Sequence, residues 1–99
     1  MTRYSGKVER VDIDEGIVVV NELAARGQHR RREVHVPPET PIVSTARHRP
    51  WRTYEEVQVS LVDVLAGDFV VVDSVMDGVR MVALRITIVE GRVQPRPAP

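Results

Sequence analysis

A chain of 99 residues with 14 basic and 14 acidic side chains carries no net charge, and 42% of it is apolar. Without cysteine it can hold neither a disulfide framework nor a thiolate zinc site, and no segment approaches the ~20 apolar residues of a membrane helix. The length suits one domain with a modest core, and the apolar residues are dominated by valine, whose branched Cβ favours pleated strands.

In chain order, the first predicted strand runs over Arg3–Asp12, with Gly6 as a bend point. Asp14-Glu15-Gly16 makes a turn, and Ile17–Leu23 returns as the second strand. Residues 24–32 break all periodicity and read as an exposed loop. Glu33–Val36 alternates polar and apolar, which predicts a third strand with Val34 and Val36 inward. Pro37 and Pro38 stop that strand because neither has an amide proton for a ladder. Ile42 and Val43 resume a short extended piece, followed by a second loop over Ala46–Glu56.

Ser60 then stands as an N-cap, with Asp63 three residues on in a capping-box spacing. The short helix so started is expected to plug one end of a barrel with Leu61, Val62, Val64 and Leu65, and to end at Gly67 in a left-handed conformation. Phe69–Met76 and Val79–Val89 are expected to form a last hairpin around Asp77-Gly78. Alternation places Val82, Leu84, Ile86 and Ile88 on one face of the final strand. Residues 1–92 form one domain in this reading, and the proline-rich stretch 93–99 is an extended or disordered tail.

Three strands, a short helix and two further strands make the order of an all-β, five-stranded OB-like barrel, a partly open Greek key; an SH3-like small barrel is the alternative. Gly6-Lys-Val-Glu-Arg-Val-Asp12, Gly16-Ile-Val-Val-Val20, Ser60-Leu-Val-Asp-Val-Leu-Ala-Gly-Asp68 and Asp77-Gly-Val-Arg-Met-Val-Ala-Leu-Arg-Ile86 resemble a small bacterial OB-like domain family of unknown function. Its members read Gly-x-Val-x-x-Val-Asp, then Ser-Leu-x-Asp-Leu-x-x-Gly-Asp-x-Val, then Asp-Gly. The resemblance implies the barrel and no assigned catalytic residue. Members usually occur in exported or envelope-associated proteins, often as repeated units. The opening residues here lack the apolar run of a leader, so the expected location is cytoplasmic, or the envelope if a leader has been removed.

Charge is unevenly spread. Arg26, Arg30, Arg31, Arg32, Arg47, Arg49 and Arg52 face only Glu33 and Glu39 in the same stretch, a local +5 balanced by −5 elsewhere. Trp51 and Tyr54 lie among them. Arginine and tryptophan are enriched at interface hot spots, and unpaired strand edges of a partly open barrel accept a partner's strand. The expected function is therefore a non-catalytic interaction module that binds a protein partner or a second copy of itself. The alternative is a single-stranded DNA or RNA binder using the same arginines with Trp51 as a stacking surface.

Other chemistries find little here. His29, His35 and His48 match no metal-ligand spacing. Asp12-Ile-Asp14-Glu15-Gly16 lacks the later ligands of a calcium loop. No serine has a nucleophile-elbow context and no glycine-rich phosphate loop is present. No enzyme, cofactor, small-molecule substrate or membrane insertion is expected.

Overall fold

The computed structural model describes residues 1–48 and 53–89. Seven strands follow in chain order: β1 (Thr2–Asp12), β2 (Ile17–Leu23), β3 (His29–His35), β4 (Ile42–His48), β5 (Thr53–Val59), β6 (Phe69–Asp77) and β7 (Arg80–Val89). β1, β2, β3, β7 and β6 close into a five-stranded OB-like barrel. The hydrogen-bonded neighbours run β3-β2-β1-β6-β7, and β7 returns to β3 through the parallel pair His35↔Val82. That order, with the third and last barrel strands parallel, selects the OB-like arrangement. The β4–β5 hairpin is an addition to it, joined to β7 by parallel pairing of Ile42–Ser44 with Ile86–Ile88.

The two prolines explain why the chain running beside β7 is interrupted between β3 and β4. Without amide protons at 37 and 38, the ladder against β7 lapses. The Thr40 hydroxyl and the Pro41 carbonyl then take it up, bonding the Ala83 carbonyl (3.4 Å) and the Ile86 amide (3.1 Å). The barrel is filled by Val8, Val18, Val20, Val34, Val36, Val70, Val72, Ala83 and Ile86, all buried, with Tyr4 among them. Val34 and Val36 point inward, as their alternation requires.

Several local expectations are corrected by long-range pairing. The loop expected over 24–32 shortens to a turn, because β3 begins at His29 and pairs with β2 from Leu23↔His29 onward. Three consecutive arginines hide the period-two pattern, yet they sit in the ladder, since strand hydrogen bonds come from the backbone. The loop expected over Ala46–Glu56 is largely hairpin, with Ile42↔Val59 through His48↔Thr53 in register.

At Ser60 the cap forms: the Ser60 amide donates to Asp63 Oδ2 (2.9 Å). Only one 3-10 turn, Leu61–Asp63, follows it. Val64 is buried and Leu61 packs against the core, but Val62 and Leu65 are exposed, because so short a turn presents too narrow a face to bury four side chains. Gly67 takes positive φ, and the Asp68 carboxylate accepts the Leu65 amide (2.9 Å), so each polar residue of Ser60–Asp68 closes a backbone bond.

In the last hairpin Asp77 pairs with Arg80, which makes Gly78-Val79 the two-residue turn rather than Asp77-Gly78. Gly78 has φ of +66°, the first central position of a type II′ turn. A β-bulge shifts the register between Asp73↔Arg85 and Ser74↔Ala83. Leu84 becomes the extra residue, so the inward face reads Ala83, Ile86, Ile88 while Leu84 is exposed.

Candidate interaction surface

β3 carries the basic residues closest to the barrel. Inward-facing positions continue from Val36 and Val34 to Arg32, whose side chain lies across the barrel mouth. Its guanidinium carbon stands 4.9 Å from the centre of the Tyr4 ring and its Nε donates to Glu22 (2.6 Å). Arg31, on the opposite face, pairs with Glu9 (3.1 Å). Arg30 is exposed. Arg26 occupies the β2–β3 turn with φ of 64°, also exposed.

Tyr4, beneath Arg32, is 4% exposed and its hydroxyl has no hydrogen-bond partner among the described residues. Burial penalises the phenolate and pushes the phenol up to about 12; Arg32 acts in the opposite direction and Glu22 reinforces the rise. A buried hydroxyl without a partner keeps its desolvation cost, so Tyr4→Phe is expected to stabilise the fold by about 1 kcal/mol in urea unfolding. The pH dependence has a definite sign. An acid with a raised folded pKa ionises first in the unfolded chain, so stability is complete below pH 10 and falls through the interval to about pH 12. That loss, about 2–3 kcal/mol, is expected to diminish in Tyr4→Phe.

Arg47 and Tyr54 are register partners in the β4–β5 hairpin, while Arg49, Trp51 and Arg52 lie outside the described residues. Among the described residues, Arg47 does not converge with the arginines of β3. β3 runs parallel to β7 with His35 opposite Val82, so Arg30–Arg32 lie toward the Gly78 end of β7. β4 meets β7 at Ile42↔Ile86 and Ser44↔Ile88, so Arg47 continues beyond the other end. Contiguity of these segments depended on strand direction, which residue spacing does not encode.

The arginines of β3 instead meet the β6–β7 hairpin. An open groove of about 320 Å³ is lined by these arginines with Glu33 and His35, and by Met76, Val79, Arg80 and Met81. Arg80, Met76 and Met81 are absent from the sequence-based set. The signal for them is the Gly78 turn, which brings both flanks of the hairpin to one end of the barrel. A second groove of about 630 Å³ continues past His35 and Arg80 toward Ile13, Pro38, Leu61 and Val62. Among the described residues no three His, Cys, Asp or Glu side chains gather as a metal site, and no helix is long and apolar enough to cross a membrane.

These features define the chain as a small OB-like β-barrel protein. No protein-family model matches it, and no curated protein matches it. Among solved structures, the crystal structure of Ag(I)CusF resembles it with a TM-score of 0.57 over 88% of this chain and 95% of that chain, at 14% sequence identity. The likeness is one of fold.

Proposed function

We propose that this protein is a non-catalytic interaction module that engages its partner through unpaired strand edges. The observation that carries the reading is β5: it pairs with β4 along its whole length and has no neighbour on its other side among the described residues. A row of unpaired main-chain donors and acceptors is a template for strand addition. Val57, 45% exposed on β5, offers an apolar contact beside it.

Less supports a single-stranded nucleic-acid ligand. Arg31 and Arg32 are already paired with Glu9 and Glu22, and Arg47 lies beyond the other end of β7. Silver, held by Ag(I)CusF, is a soft cation suited to thioether and imidazole ligands. Met76, Met81 and His35 do border one groove, but Arg30, Arg31, Arg32 and Arg80 surround them with positive charge.

A photo-crosslinking side chain at Val57, with Val62 as an exposed control on the 3-10 turn, tests the module in cells that make the protein. A discrete adduct from position 57 and none from 62, identified by mass spectrometry, is the expected result. Equal labelling at both positions overturns the reading, as does retention on single-stranded DNA that falls steeply with salt.

A further inference from the structure

Two strand edges in this chain are unpaired among the described residues, and they carry opposite charge. β3 is paired with β2 throughout but shares a ladder pair with β7 only at His35↔Val82. The Val36 amide donates to the Gly16 carbonyl (2.7 Å), and hydrogen-bonded positions alternate from there along the antiparallel pair. Val34, Arg32 and Arg30 therefore bond to β2, while Glu33 and Arg31 direct their main-chain groups to the other edge. Above the bridging pair β3 and β7 diverge, and the basic groove of about 320 Å³ lies in the opening.

β5 offers the complement. Its sequence, Thr-Tyr-Glu-Glu-Val-Gln-Val, places Glu55 and Glu56 at the centre of a seven-residue strand with one unpaired edge. Pairing β5 with β5 of another copy in antiparallel fashion would set these glutamates against their equivalents, which is unfavourable. Pairing it with β3 sets them against Arg30 and Arg80, with Glu56 exchanging its exposed ion pair to Arg85 (3.2 Å), while Glu33 lines the same groove. The apolar residues also correspond: Val57 is exposed on β5, and Met76 and Val79 are exposed at the groove. The groove lining contains no Phe, Tyr or Trp on which a base could stack, His35 being its one ring, whereas methionines adapt to a peptide.

We propose that the partner is a second copy of this chain, with β5 of one molecule added to the unpaired edge of β3 in the next. This rests on the interaction-module reading and specifies its partner. The contact is heterologous, so it propagates into rings or open chains rather than stopping at a two-fold dimer.

Sedimentation of the full chain across concentration is the test. The average mass is expected to climb past twice the 11.2 kDa of the monomer, and to fall as salt rises from about 50 mM to about 300 mM. Glu55→Arg with Glu56→Arg, and separately Arg30→Glu with Arg80→Glu, should each weaken association at least about tenfold, given how costly like-charge juxtaposition is. An equimolar mixture of the two variants should restore it, because each junction is again complementary. Since the chain has no cysteine, Arg31→Cys mixed with Val57→Cys should give an intermolecular disulfide on oxidation that neither variant gives alone, a readout independent of the charge reversals. A monomer at every concentration without that disulfide, or a closed dimer indifferent to charge reversal, overturns the proposal. The Val57 adduct described above would then still carry the module reading with a different partner; without that adduct both readings fall.

Discussion

Gly6→Ala is expected to cost about 3 kcal/mol or more, a large part of the stability of a domain this size. A Cβ built on Gly6 would stand 2.3 Å from the Asn21 carbonyl oxygen, 2.8 Å from its carbon and 2.9 Å from the Glu22 Cα. All three are backbone atoms of the neighbouring strand, so no side chain can turn aside. Relief requires β1 and β2 to separate where Gly6 is opposite both Glu22 on β2 and Val70 on β6. Gly27→Ala is the comparison. Its φ of +74° makes any side chain strained, but nothing lies within 4 Å, so the loss should be about 1 kcal/mol. Urea unfolding followed by circular dichroism measures both. Equal effects would mean that the close approach of β1 to β2 is not what Gly6 provides.

Ile86→Ala should cost about 4 kcal/mol, whereas Leu84→Ala should cost under about 1 kcal/mol. Ile86 is fully buried on the central strand of the barrel seam, opposite Val72 on one side and Ile42 on the other. Removing its side chain leaves a cavity that a closed barrel can scarcely collapse to fill. Leu84 is the larger departure from simple alternation. Two residues away on the same strand, it would be expected on the same buried face, yet the bulge turns it out to 44% exposure. Chemical denaturation midpoints of the two variants separate bulged from unbulged register, since a regular strand would make both losses large.

Much of the barrel is legible in the residues because the relevant forces act over a few positions. Gly6, the Ser60–Asp63 cap and positive φ at Gly16, Gly67 and Gly78 follow from backbone sterics and short hydrogen bonds. Valine alternation identifies the inner face of the end of β3, where Val34 and Val36 are buried. Arginine runs carry no such pattern, and so the start of β3 at His29 and the β4–β5 hairpin are concealed. Their strand character comes from main-chain pairing with β2 and within the hairpin, to which side-chain hydrophobicity contributes little.

The candidate surface divides along the same line. Residue type alone is sufficient to single out Arg30, Arg31 and Arg32 and to find the chain's balance of +5 and −5. Which arginines are neighbours is a matter of strand direction and register. The parallel pair His35↔Val82 turns Arg30–Arg32 toward Arg80, and the pairing of Ile42–Ser44 with Ile86–Ile88 carries Arg47 the other way. Glu9 and Glu22, which lie outside the basic run, reach Arg31 and Arg32 because antiparallel strands bring them alongside. Composition and short-range spacing thus account for the class of fold and the presence of a charged edge. The site itself exists through contacts between residues far apart in the chain, whose energies are expressed only once the barrel closes.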